Sequence, residues 1–176
     1  MRKFSLLKLF LNAVGFQIVW FTCAFTVQSS PPFNMVWIGL ATLVFLSQHF
    51  YFNSNKSEFV LTLKVATLGW IIDTLLIQNH SILFEGSYFD SPLNVQPFWM
   101  TCLWLSLGAS LNHSLAWLKN FINWSPLIGS ALGTFSYLAG EHFGVLHFES
   151  GEALFITAAS WAVALPILIL FSMDCS

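Results

Sequence analysis

The residue with the most chemistry to explain is Asp73, an acid in the middle of the apolar run Phe59–Leu83. Insertion scales charge about 3 kcal/mol for an aspartate at a membrane-helix centre, so the folded chain must satisfy its carboxyl in some way. Helical spacing puts Ala66, Gly69, Asp73, Ile77 and His80 on one face. That face runs from small to acidic to imidazole, a pattern that suits a proton relay or an acid/base group. The competing reading is structural: a hydrogen bond between Asp73 and a Trp, Tyr, Asn or backbone group of a neighbouring segment.

Three further sets of polar residues interrupt apolar sequence. Asn112 and His113 are adjacent. On a helix, neighbours diverge by about 100°, so the pair is expected to face different partners. Asn112 continues a small-residue face through Gly108 and Ala116, and His113 shares a face with Ser106, Ser110 and Trp117. A neutral imidazole can both donate and accept, which suits catalysis or ligand binding. It can equally be locked by a serine or a carbonyl. Tyr137 and Glu141 lie beside the glycine stripe Gly129, Gly133, Gly140, Gly144, whose small-xxx-small spacings let another backbone approach closely, within the chain or in a second one. Tyr137 is at a depth from which it could donate to Asp73. Asn12 and Gln17 lie about 140° apart on the first helix, Asn12 at the depth of Asn112, His113 and His49. They read as an inner polar cluster or as two separate amide clips. Asp73, Asn112, His113 and Tyr137 are the candidate catalytic residues; Asn12, Gln17, His80 and Glu141 are the other intramembrane polar groups.

No cofactor or metal is expected. His142, His147, Glu141, Glu149 and Glu152 gather near one span end, but without cysteine or a tight helical histidine pair they do not make a metal pattern. Cys23, Cys102 and Cys175 have no metal or redox spacing; Cys23 and Cys102 read as small buried hydrophobes. Glycine-rich phosphate loops, serine elbows and zinc-protease helices are absent from the sequence.

The elements that must position these groups follow from composition. The chain has 176 residues, 56% hydrophobic and 8% charged, against about 25% charged in a soluble domain. Such a chain cannot wet its whole surface, and its length suits a single domain, 1–176. Its formal net charge of −2 argues against nucleic acid, which would need a basic face. A span needs about 20 apolar residues, and six runs qualify: Leu7–Val27, Asn34–Phe52, Phe59–Leu83, Pro97–Leu118, Trp124–Gly144 and Ala153–Ser172. The first is too long for a signal peptide and lacks a cleavage site. Arg2, Lys3, Lys8, Lys56, Lys64 and Lys119 all fall on one side of this topology, while Glu85, Asp90, Glu141, Glu149 and Glu152 fall on the other. The positive-inside rule then gives an all-helical bundle with both ends in the cytoplasm. No repeat is visible between the first three spans and the last three.

Four stretches together resemble a known family: Asn12 with Gln17-x-x-Trp20; Asp73-x-Leu75; Leu111-Asn112-His113-Ser114-Leu115-Ala116-Trp117-Leu118; and Ser136-Tyr137-x-x-Gly140. In this order they are similar to the bacterial membrane family labelled domain of unknown function 2878, over nearly the whole chain. The resemblance implies a small multi-pass protein of the bacterial inner membrane and brings no activity with it. Three functions stay open: an enzyme or enzyme accessory acting on lipid or a lipophilic substrate, a proton-linked transporter using Asp73 and His80, and an assembly subunit whose polar groups clip helices together. Expected partners are the lipid bilayer and, through Gly129 and Gly133, another membrane protein or a second copy.

Overall fold

The computed structural model describes residues 6–28, 33–53, 55–86 and 95–175; Arg2, Lys3, Asp90 and the Ser29-Ser30-Pro31-Pro32 stretch lie outside them. Six helices dominate: α1 Leu6–Thr26, α2 Phe33–Phe52, α3 Lys56–Gln78, α4 Phe98–Gly108, α5 Ser125–His142 and α6 Ala153–Asp174. Four of them, α1, α2, α3 and α6, are long enough and apolar enough to cross a membrane. Local sequence sets several ends. Asn55 caps α3, its side chain accepting from the Ser57 amide, Pro97 precedes α4, and a proline lies in the first turn of α5. Large apolar side chains such as Phe10, Phe135 and Phe155 remain more than 60% exposed, as they would against lipid rather than water.

The structure departs from uniform helix in two places. The first is at the end of α3, which stops at Gln78 instead of running to Leu83. His80 takes a left-handed backbone (φ 56°), and Ile82–Phe84 form a strand, β1. Histidine is among the few non-glycine residues enriched in that conformation. After α5, Gly144 (φ 69°) turns the chain in the same way into a second strand, β2, Leu146–Phe148. The strands pair antiparallel, with Leu83 opposite His147.

These two turns match bond for bond. The amides of Asn79, His80 and Ser81 bond the carbonyls of Leu75, Ile77 and Leu76; those of Phe143, Gly144 and Val145 bond Ala139, Glu141 and Gly140. Glu85 then donates to Val145 while Glu149 donates to Ser81. Each second partner stands 64 positions after the first (143 − 79 = 64). Asp73 and Tyr137, Gly69 and Gly133, and Leu83 and His147 obey the same offset. So α3–β1–α4 and α5–β2–α6 are two copies of one helix–strand–helix unit about a local two-fold axis. The repeat relates the second and third helical pairs, which is why a comparison of the two halves of the chain misses it.

Packing within the helical pairs follows one rule. A glycine on the first helix seats an aromatic ring of the second: Gly15 meets Phe45, Gly69 meets Trp104, and Gly133 meets Trp161. Gly129 also touches α6, at the Trp161 carbonyl and Leu165. At Gly129 and Gly133 the stripe is therefore covered by α6 of the same chain. The α4 helix packs on α1, α2 and α3, and α3 joins the two units through α6. Trp104 and Trp161 stack at that junction, 5.1 Å apart and 10° from parallel.

The second departure is in the expected fourth span. The α4 helix ends at Gly108, giving about 16 Å of helix at 1.5 Å per residue. Turns occupy 109–115, and a 3-10 helix, Ala116–Trp124, leads into α5. Ala109, Ser110, Leu111 and His113 are buried there, so this irregular backbone is enclosed by protein, where its polar groups can be satisfied. Ser110, Leu111, His113 and Leu115 donate to carbonyls three to five residues earlier, and Asn12 Nδ2 donates to the Ala109 carbonyl at 3.1 Å.

Gly133→Leu should drive its side chain into the Trp161 ring. We expect a stability loss of about 3 kcal/mol, the upper range for overpacking, read by thermal unfolding of the purified protein in detergent. Gly151→Ala, at a site with nothing within 4 Å, should leave the transition unchanged.

Candidate functional site

Polar side chains gather in two buried centres, one on α3 near the strand end and one at the opposite end of the bundle. Asp73 anchors the first and is 0% exposed. Trp104 Nε1 donates to its Oδ2 at 2.6 Å, and the Tyr137 hydroxyl donates to its Oδ1. Three helices, α3, α4 and α5, meet in this one carboxyl, and both of its oxygens have a donor. Gly69, one turn before Asp73, leaves the space in which the Trp104 indole lies flat enough to reach back. The structure thus brings two of the candidate residues, Asp73 and Tyr137, into direct contact. His80 is not part of this centre. It sits in the turn beyond α3 with its side chain 82% exposed, 3.9 Å from Glu149. The helical face expected to connect Asp73 with His80 therefore ends before reaching the imidazole.

The second centre is built around Glu58, in the first turn of α3. Asn112 Nδ2 donates to Glu58 Oε1 at 3.0 Å, and His113 Nε2 is in hydrogen-bond contact with Oε2 at 3.2 Å. Asn112 and His113 do share a partner, contrary to the helical expectation, because turns replace helix at 109–115 and the 100° rule does not apply there. His49, at the end of α2, places Nε2 3.6 Å from the same Oε2, and its ring lies 4.8 Å from that of His113.

A shell of fixed partners surrounds Glu58. Asn112 Oδ1 accepts from Lys119 Nζ and from Ser172 Oγ, both at 2.7 Å, and Lys119 also donates to the Ser172 carbonyl at 3.1 Å. Burial holds the Lys119 ammonium below its ordinary pKa, opposed by the negative charge of Glu58 and by Cys175. Asn12 Oδ1 accepts from the amide and hydroxyl of Ser114, at 3.3 and 2.7 Å. Asn12 thus pins the turn that carries Asn112 and His113, and acts as a clip beside the cluster rather than bonding Glu58 itself. A small cavity of about 10 Å³ adjoins, lined by Lys8, Asn12, Phe45, Gln48, His49 and His113 among others. That is close to the space one water needs.

The remaining sequence candidates lie apart from both centres. Gln17 is exposed on α1 and lines an open apolar groove with Phe10, Phe21 and Trp37. Glu141 Oε1 accepts from the Phe148 amide at 3.1 Å and so anchors β2. His147 pairs with Glu85 across the strands at 3.5 Å, both half exposed. Glu58 is the functional candidate that sequence reading passes over. The available signal was an acid at the start of a span, on the side where every basic residue lies.

The family model described as Protein of unknown function (DUF2878) matches residues 9–167, and the chain belongs to that family. Neither a curated protein nor a solved structure matches it.

The Asp73 centre yields a direct test. Tyr137→Phe removes one of two donors from a buried carboxyl and should cost about 1–3 kcal/mol. In a chain already carrying Asp73→Leu the same change should cost far less, the difference being the coupling of the pair. Denaturation of the four proteins in detergent measures it.

Proposed function

We propose that this member of the 2878 family is a six-span protein of the bacterial inner membrane, N- and C-termini in the cytoplasm, and that the Glu58 centre acts on a lipid or lipophilic molecule, as an enzyme or as the accessory of one. The four long apolar helices support the membrane setting. The topology is supported by the partition of charge along the bundle. Lys8, Lys119 and the start of α3 gather at the Glu58 end, while Glu85, Glu141 and Glu149 gather at the strand end. With the basic end inside, the Glu58 centre sits at the cytoplasmic rim, level with the heads of inner-leaflet lipids.

One observation carries the functional reading: a buried carboxylate flanked by two imidazoles and an amide that converge from α2 and the 109–115 turn, next to a small cavity. Clips between helices need one donor and one acceptor. Here two imidazoles face one carboxylate oxygen while an amide bonds the other, which is the arrangement of a site that binds or polarises something. The Asp73 centre supports a different role. Both of its oxygens are taken by Trp104 and Tyr137, so we assign it to holding the two repeated units together, as the assembly reading has it. The transporter reading loses its relay with His80 exposed beyond the helix end.

The test compares total lipids by mass spectrometry in cells lacking the protein and in cells complemented with wild type, Glu58→Gln or Asp73→Asn at equal abundance. A species that disappears without the protein should return with wild type and not with Glu58→Gln. Asp73→Asn should restore it in proportion to the folded protein present. An identical lipid profile in every strain would sink the lipid reading.

A further inference from the structure

We propose that His49, Glu58 and His113 form a binding site for a divalent transition metal ion of the zinc type. The site deepens the functional reading given above, since it would supply the group that polarises a lipid head, but it stands on its own geometry. The three side chains come from α2, the first turn of α3 and the 109–115 turn, and one ligand atom from each lies within 4.8 Å of the other two. Zinc bonds to nitrogen and oxygen are about 2.0–2.2 Å, so tetrahedral ligands stand roughly 3.3 Å apart. The Glu58 Oε2 to His113 Nε2 distance is 3.2 Å and the Glu58 Oε2 to His49 Nε2 distance is 3.6 Å. Two edges of the triangle already have that spacing.

His49 is the independent witness. Its side chain is fully buried, yet among the described residues neither ring nitrogen makes a hydrogen bond; Nε2 has only the 3.6 Å approach to Glu58 Oε2. A buried imidazole without a hydrogen bond at either nitrogen is costly, and a metal on Nε2 removes half of that cost. Two neutral imidazoles and one carboxylate are a common zinc donor set that keeps a fourth position open. The adjoining cavity, which His49 and His113 both line, is where a water or a substrate oxygen would complete the coordination.

The surroundings also have the form of a supporting shell. Glu58 uses Oε2 toward the histidines while its Oε1 accepts from Asn112, which is itself fixed by Lys119 and Ser172. Metal-binding carboxylates are oriented by such second partners. With a divalent ion, two neutral imidazoles and one carboxylate, the centre carries one net positive charge. It would favour an anionic head, phosphate or carboxylate, over a neutral one.

The experiment uses the full-length protein purified in detergent, loaded with zinc or cobalt, desalted and measured by elemental mass spectrometry and by the cobalt visible spectrum. Wild type should hold about one metal per chain, with a cobalt spectrum of low-coordinate nitrogen and oxygen ligation. His49→Ala, Glu58→Gln and His113→Ala should each weaken binding at least tenfold, since even outer partners cost about 10–100-fold. His147→Ala, at the exposed Glu85 pair, should bind as wild type does. Failure of loaded wild type to retain zinc or cobalt overturns the proposal without needing any variant. Full retention by a chain carrying His49→Ala, Glu58→Gln and His113→Ala together, or loss in His147→Ala, overturns it as well. Because metal content is read without lipid, and the lipid comparison without added metal, either reading can fail while the other stands.

Discussion

A single buried carboxyl ties the bundle together. Asp73 accepts from Trp104 and Tyr137, so one side chain fixes α3 against α4 and α3 against α5. In an apolar medium the helices gain little by hiding apolar surface from one another, and close packing plus interhelical hydrogen bonds must supply the specificity. Much of the structure can be traced from that requirement. Gly69 is needed to let the Trp104 ring in, and Gly133 does the same for Trp161, which stacks on Trp104 from the other unit. Tyr137 reaches Asp73 across the same local two-fold about which β1 and β2 pair.

The Glu58 end is built by the opposite means. There the helix is abandoned, and turns at 109–115 let adjacent residues point the same way. Backbone freed from a helix in an apolar setting must be answered locally. Asn12 answers the Ala109 carbonyl, while Ser106 and Ser110 bond to carbonyls four residues back. The polar side chains of this end thus serve two purposes: some satisfy the broken backbone, and others converge on Glu58. The 3-10 helix that follows swings Lys119 to Asn112 and the end of α6, so all the segments at this end are tied to one carboxylate either directly or through one intermediate.

The helices α1, α2, α5 and α6 are legible in the sequence to within two residues at each end, because their apolar runs are bounded by polar or turn-forming residues. The end of α3 is not. Ile82-Leu83-Phe84 is an apolar run that continues α3 unbroken, and what turns it into a strand is a partner 64 residues away together with a left-handed His80. The end of α4 is hidden for a related reason: Ala109 and Leu111 are as apolar as a helix would want, and nothing in the local sequence announces turns. That error propagates to the site, since a helical period sends Asn112 and His113 to different neighbours. The Asp73–Tyr137 contact was foreseeable from depth alone. Glu58 was not, because an acid beside Lys56 at a span end reads as a solvated charge. The internal repeat escapes because its equivalent positions hold different chemistry, Asp against Tyr and His against Gly, on a uniformly apolar background.

That difference has a consequence of its own. In a homodimer of identical units, a residue beside the two-fold axis meets its own copy. Two aspartates there would repel as carboxylates, and two tyrosines would leave both hydroxyls seeking an acceptor. Joining the units in one chain releases the two positions from having to be the same residue, so one becomes the donor and the other the acceptor. The bond that closes this bundle is therefore a product of broken symmetry, available to a tandem chain and denied to a dimer of its halves.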